Sequence, residues 1–265
     1  AVFLNKNSKP SLNDNEVAAA LNLATNKEKM AQEIFNGKAL IVNQPLPPII
    51  DSYDKNADPG NEFSLDKARN ILEKAKWAVN PDNGVREKKI GKQMETLEFS
   101  VIVPQIPFLI KTAEILKGDW EQIGVKLNLI ILNPEDITNE VIKTRNYQMI
   151  IFGNILRSNP DIISFWHSSE RFYPGLNLSL YNNKKVDSLL ESVRKNLDKK
   201  SRDKELSEIQ KLIVSDQPAI FLYSPIYLYV APRNLGGFEK MTITTPSDRF
   251  ENINQWYLET KRVFK

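Results

Sequence analysis

Between Asn154 and Asp161 the chain concentrates hydrogen-bonding side chains: Asn154, Arg157, Ser158, Asn159 and Asp161 crowd around Pro160. The segment holds amides, a guanidinium and a carboxylate but no nucleophile beside a base. The chemistry open to it is therefore recognition of a ligand by donors and acceptors. An exposed loop that binds nothing is the alternative its residues leave open. Just beyond lies His167, the single histidine of the chain, followed by Ser168. Adjacent residues on a helix point about 100° apart, so the two do not face each other as nucleophile and base. No acid stands out to orient the imidazole, and a helix-end histidine with a polar partner is expected. Asp54, Asn56 and Asp58 repeat the first half of an EF-hand calcium loop. Pro59 then takes the place of the turn glycine and Leu65 that of the bidentate glutamate, so a solvated turn is expected and no metal.

The rest of the 265-residue composition narrows the chemistry further. With no cysteine and one histidine, disulfides, thiolate nucleophiles and Cys- or multi-His metal sites are excluded. Neither G-x-G-x-x-G nor G-x-x-x-x-G-K-[ST] occurs, so no nucleotide or other cofactor is expected. Lys+Arg total 36 against 33 Asp+Glu, a net charge of +3. That is no concentrated basic footprint, and lysine-rich stretches such as KNLDKKSRDK are interleaved with acids, so nucleic acid is not an expected partner. With 41% hydrophobic and 26% charged residues the chain reads as globular, long enough for one or two domains. AVFLNKNSKP lacks the basic and apolar regions of a secretory signal. The most apolar run, Ala219 to Ala231, is shorter than the ~20 residues of a spanning helix, and its aromatic and β-branched content predicts two buried strands about Ser224-Pro225.

The elements that must hold the 154–161 segment follow from periodicity. Asp14 or Asn13 is placed to cap a helix from Asn15 to Asn36, with Val17, Leu21, Ala24, Met30 and Ile34 on its apolar face. Residues 44–62 read as a loop, polyproline-like at PLPPII, and a second helix runs from Ser64 or Asp66 to Trp77. After a turn at Asn80–Gly84 come a strand over Leu97–Val103, a helix opened by Pro107, the strand VKLNLIIL, a helix opened by Pro134 and the buried strand YQMIIFG. This alternation predicts an α/β fold with parallel crossovers. A short helix near 162–167 and amphipathic helices near 184–195 and 201–214 follow. The loop from Asn154 thus leaves the carboxyl end of a parallel strand, where α/β folds gather their ligands.

Several segments, in order, resemble family 5 extracellular solute-binding proteins, the receptors of oligopeptide, dipeptide and nickel ABC importers. They are LNDNEVAAALNLATNKEKMAQEIFNGKA, FSLDKARNILEKAKW, NGVREKKIGKQMETLEF, WEQIGVKLNLI and SDQPAIFLYSPIYLYV, with NPDIISFWHSSERFYPGLNLSLYNNKKVDSLLESVRKNLDKKSRD as the most specific. The resemblance covers almost the whole chain but only the C-terminal half of the family's length. It implies an α/β, periplasmic-binding-protein type II lobe with a mixed sheet flanked by helices. The implied division is a hinge segment over 1–12, the ligand-binding lobe over 13–231 and, over 232–265, a return segment toward an absent N-terminal lobe. The implied function is capture of a peptide or small solute for ABC permease subunits, without catalysis. The implied place is the periplasm or the cell exterior, with room for a lipid anchor on the parent. A sensor or interaction module reusing the lobe is the alternative, and a hydrolase using Ser168 or acidic residues a more remote one. The cleft residues this implies are Asn154, Leu156, Arg157, Asn159 and Asp161, with His167 and Asn177 further out.

The chain also departs from that family's pattern. Peptide-binding members place an Asp before the x-x-Pro of the cleft loop to receive the peptide's amino group; here that place falls on Leu156 or Arg157, neither of which can do so. Asp161, following Pro160, stands where nickel-binding members have a His, so nickel coordination of that kind is not expected. Ala18 replaces the family's Arg in the first helix, a change expected to be structural. Arg157 is left either to face an anionic group or to turn to solvent beside Asp161.

Overall fold

The chain opens on strand β1 (Val2–Leu4), followed by helices α1 (Asn15–Leu23) and α2 (Lys27–Phe35) and strand β2 (Ala39–Ile41). The computed structural model of the protein describes residues 1–50, 52–60, 62–156, 161–239, 243 and 245–258. The single helix expected from Asn15 to Asn36 is two. The Thr25 hydroxyl bonds back to the Leu21 carbonyl at 2.7 Å and receives the Trp120 indole N–H at 3.0 Å. Asn26 starts the second helix by accepting from the Lys29 N–H at 2.9 Å, while its own N–H donates to Asp119 Oδ2 at 3.0 Å. The apolar stripe is continuous across this break, so periodicity alone could not reveal it.

After helix α3 (Leu65–Lys74) comes a three-stranded antiparallel meander, β3 (Ala78–Val79), β4 (Arg86–Ile90) and β5 (Gln93–Thr96). Arg86, buried at its base, donates to the Ile123 carbonyl at 2.8 Å and the Trp77 carbonyl at 2.7 Å. A Cβ on Gly124 would stand 2.9 Å from Arg86 Cγ and 3.1 Å from the Gly84 carbonyl oxygen, and its φ is +79°, so only glycine fits. The crossover region is β6 (Glu98–Pro104), α4 (Pro107–Glu121), β7 (Lys126–Leu132), α5 (Pro134–Asp136, continued by π-helical turns over Ile137–Ile142) and β8 (Met149–Ile151). Helices α6 (Ile163–Trp166), α7 (Lys184–Lys195) and α8 (Lys199–Asp216) precede the short strands β9 (Ala219–Ile220), β10 (Tyr223–Pro225), β11 (Leu235–Gly236) and β12 (Tyr257–Leu258).

Five strands form the central sheet in the order β7-β6-β8-β1-β9. β6 runs parallel to both β7 and β8, whereas β1 is antiparallel to β8 and to β9. The sheet is therefore mixed, with the segment 2–4 wedged into its middle. Alternation splits the core between its two faces. Val2, Leu4, Val101, Val103, Met149 and Ile151 pack with α1, α3 and α4, while Phe3, Ile102 and Ile150 pack with Trp166 and the apolar faces of α7 and α8. No described helix is long and apolar enough to cross a membrane.

The apolar run 219–231 departs from expectation in its second half. β10 is half-exposed and pairs with β2 instead of joining the sheet, and Ile226 to Val230 form no strand, Leu228 and Val230 being 62% and 92% exposed. Further on, β11 pairs with β12, and Tyr229, Phe238, Phe250 and Trp256 form an aromatic cluster, Tyr229 stacked on Phe238 and Trp256 meeting Phe238 edge-on.

Candidate functional site

The carboxyl ends of β8 and β9 and the amino end of β1 lie at one edge of the sheet, because β1 runs antiparallel to both neighbours. The chain leaving β8 (Phe152–Leu156), the chain leaving β9 (Phe221–Tyr227) and the proline-rich segment from Val42 to Ile50 surround a groove of about 400 Å³ there. Trp166 and Phe3, from the sheet face that packs against α7 and α8, also line it. Trp166 is 2% exposed, its ring centroid 5.9 Å from that of Phe221 and 6.1 Å from that of Phe3. The lining is dominated by Pro45, Pro47, Ile49, Ile50, Ile155 and aromatic rings, and none of the described lining residues has an acidic or basic side chain. A mainly apolar wall without charged side chains suits an uncharged stretch of ligand, and a buried ammonium would find no carboxylate on it.

The residues singled out in the sequence fall into three places. Asn154 and Leu156 line the groove. Asp161 does not: it pairs with Arg194, and both line a separate pocket of about 180 Å³ against α7. His167 and Asn177 do not reach the groove either. His167 Nδ1 accepts the Ser169 N–H at 3.1 Å and lies 2.8 Å from its hydroxyl, while Nε2 is 3.4 Å from Glu191 Oε1. Asn177 is fully buried, donating to the His167 and Tyr181 carbonyls and accepting from the Tyr181 N–H. Arg157 and Asn159 lie outside the described residues. Ser168 spends its hydroxyl on Asp187 Oδ2 at 2.6 Å and its N–H on Oδ1 at 2.8 Å, so it faces a carboxylate at the start of α7 and not the imidazole. Among the described residues no cluster of His, Cys, Asp or Glu could hold a metal ion. The Asp54–Asp58 segment is a turn closed on itself: Asp54 accepts from Ser207 and the Asn56 N–H, Asp58 from Tyr53, Asn43 and the Gly60 N–H.

Sequence reading missed the wall of the groove. PLPPII reads as a polyproline-like loop with no role assigned to it, yet its segment forms one side of the groove. Lys27, buried in α2, donates to Asn43 Oδ1 at 2.7 Å, and Asn43 Nδ2 donates to Asp58 Oδ1 at 3.1 Å. The Tyr53 hydroxyl donates to the other oxygen of Asp58; burial, with Asp58 next, pushes that phenol up to about 12. Burial lowers Lys27 from 10.5 to about 8, opposed by the charge of Asp58. Between about pH 8 and 10.5 the folded chain therefore binds fewer protons than the unfolded one, and stability rises with pH in that window. Below it the charged amine costs ~3 kcal/mol at full weight. Lys27→Met is expected to abolish this component: the difference in unfolding free energy between variant and wild type, by urea titration, should shift by about 2.5 kcal/mol from pH 7.5 to pH 10. A constant difference would mean that Lys27 is solvated.

The profile of the bacterial extracellular solute-binding proteins, family 5 (middle), matches residues 1–171. The chain belongs to that family. It is 26% identical over 263 residues to the oligopeptide-binding protein AppA of Bacillus subtilis, covering 97% of this chain and 46% of AppA. The probable D,D-dipeptide-binding periplasmic protein DdpA of Escherichia coli is 24% identical over 245 residues, 89% of this chain and 43% of DdpA. The chain thus spans about half the length of these relatives. Among solved structures, AppA of Bacillus subtilis in complex with a nonapeptide superposes with a TM-score of 0.79 at 24% identity, over 98% of this chain and 50% of AppA. NikZ of Campylobacter jejuni in complex with Ni(L-His) gives a TM-score of 0.74 at 22% identity, over 97% and 51%. The expected type II lobe with a mixed sheet flanked by helices is the fold found.

Proposed function

We propose that the chain supplies one lobe of an ABC importer's solute receptor and captures a peptide or related small solute, without chemistry, by closing against a second lobe of a longer parent. The observation that carries this is the apolar groove at the carboxyl edge of the sheet, with Asn154 and Leu156 on its lining. Arg157 and Asn159, from the same loop, complete the ligand-facing set in this reading, with Asp161, His167 and Asn177 behind it as the frame from which the loop is held. Residues 232–265 are the crossing to the other lobe, while the expected hinge segment 1–12 carries β1, an inner strand of this lobe's own sheet; permease subunits are the partners, and the parent works in the periplasm or at the cell exterior, with or without a lipid anchor.

The ligand this favours is neutral or anionic. No described acidic side chain lines the groove to receive an ammonium, and a guanidinium at position 157 repels one and attracts a carboxylate in a closing, low-dielectric cleft. Isothermal titration with N-acetyl-trileucine and with trileucine amide tests this on the full-length parent, its Arg157→Ala variant and the present chain alone. The parent should prefer the acetylated acid. Arg157→Ala should weaken that probe by about 1.5–3 kcal/mol. The lone chain, with half a cleft, should bind far more weakly than the parent. Tight binding of the free-amine probe, unaffected by the substitution, would overturn the charge assignment, and equal affinity of chain and parent would overturn the half-site.

A further inference from the structure

We propose that the pocket between α7 and the start of α8 binds a small monocarboxylate with a short branched aliphatic tail, the carboxylate being received by Arg202 and Arg194. This site shares no described lining residue with the groove and does not depend on the receptor reading.

The pocket, of about 180 Å³, is framed by the chain entering α6, the last turns of α7 and the first turn of α8. Ile162 and Leu190 are buried and Val193 is half-buried, so one side of it is aliphatic. Its charged members are Asp161, Arg194 and Arg202, which together leave one positive charge. Arg194 turns Nε and Nη2 to Asp161 Oδ2, and Asp161 Oδ1 accepts the Ile163 N–H at 3.2 Å. That pair is neutral and fixed, with Nη1 of Arg194 left over. Arg202 is half-exposed, and its guanidinium has no hydrogen bond or ion pair among the described residues. The acids near it in the chain are engaged elsewhere. Asp198 accepts the Ser201 N–H at 2.8 Å, Asp203 the Ser52 hydroxyl at 3.0 Å, and Glu205 the Ser192 hydroxyl at 2.8 Å.

The helix that carries Arg202 adds to the surplus. α8 runs for 18 residues and opens on Lys199, Lys200, Ser201 and Arg202, with no acidic residue in its first turn. The amino end of a helix is its positive end, so cations there are unfavourable until an anion joins them. A carboxylate matches what is left: one negative charge, and two coplanar oxygens that fit the fork of a guanidinium. A dianion such as phosphate exceeds the single surplus charge and would set a strongly hydrated group against Leu190 and Val193. A short branched tail covers those aliphatic surfaces instead.

The test titrates the full-length parent with sodium isovalerate at fixed ionic strength, followed by saturation-transfer NMR, with isovaleramide as the uncharged isostere. Isovalerate should bind saturably and the amide about tenfold more weakly or worse. Arg202→Gln should weaken isovalerate about tenfold or more, the loss of a hydrogen bond from a charged donor, and Arg202→Lys should recover only part of it. Val193→Phe leaves every charge in place and fills the aliphatic side, so it should weaken isovalerate as much, with an unchanged melting temperature showing that the fold is intact. A peptide C-terminus offers the same chemistry: N-acetyl-leucine binding about tenfold tighter than isovalerate, and still dependent on Arg202, would make a chain end the source, whereas equal or weaker binding assigns a free acid. Binding of isovalerate that neither Arg202→Gln nor Val193→Phe alters would place the acid elsewhere and overturn the inference. So would equal binding of acid and amide. Absence of binding, with stability lost in Arg202→Gln, would overturn it by showing that Arg202 is spent on Glu205.

Discussion

Trp166→Ala is expected to lower the unfolding free energy by about 4 kcal/mol, the middle of the range for removing a fully buried large aromatic side chain. Trp166 meets Phe3, Tyr181 and Phe221 at ring-centroid distances of 6.1, 6.2 and 5.9 Å. It thereby joins the central strand β1, the turn before α7 and the chain leaving β9, which come from three distant parts of the sequence. No single neighbour can relax into the void without leaving the other two, so the cavity should persist. Trp166→Phe, which keeps a ring in the site, should cost less than half as much. Urea titration followed by far-ultraviolet circular dichroism reads both values, with the slope against denaturant unchanged if the denatured state is unaltered. A loss below 1 kcal/mol would show that this residue, which also lines the groove, is not part of the packed core.

Arg145→Met should cost about 3 kcal/mol, by a different mechanism. The side chain is buried, and burial lowers its pKa. Its guanidinium donates to three backbone carbonyls, Arg171 at 2.8 Å, Ile142 at 2.7 Å and Gly175 at 2.5 Å. Hydrogen bonds from a charged donor contribute about 1.5–3 kcal/mol each, but part of that sum is offset by returning the guanidinium's own desolvation cost. The remainder is the penalty of leaving three carbonyls, two of them buried, without this donor. Lysine has no planar fork to reach acceptors in three directions, so Arg145→Lys should recover only a minor part. The same urea titration measures stability. Amide exchange at Gly175, whose N–H donates to the Phe172 carbonyl at 2.8 Å, should accelerate in both variants if Arg145 pins the 171–175 turn. Unchanged exchange there, with stability lost elsewhere, would refute the pinning role.

What the sequence by itself determined was the order and kind of the elements. Val101, Ile102 and Val103, then Met149, Ile150 and Ile151, are apolar on both faces, as strands covered on both sides must be, and the helices between them force parallel crossovers. Asp14, Ser64, Pro107 and Pro134 placed helix starts through local hydrogen bonding or a fixed φ, which needs no tertiary partner. The loop leaving β8 could be singled out from the order of the elements as a candidate for ligand contact, and two of its residues, Asn154 and Leu156, line the groove. The tertiary structure alone decided the rest. The break at Thr25 depends on Trp120 and Asp119, which are distant in sequence and leave no trace in the local apolar period. Asp161 is drawn off by Arg194 on α7, and Asn177 is consumed by backbone groups, because a polar side chain's partners are set by what folds beside it. The groove wall from Val42 to Ile50 has no helical or strand period to betray it; it becomes a surface only when Lys27, Asn43, Asp58 and Tyr53 close a hydrogen-bonded chain behind it.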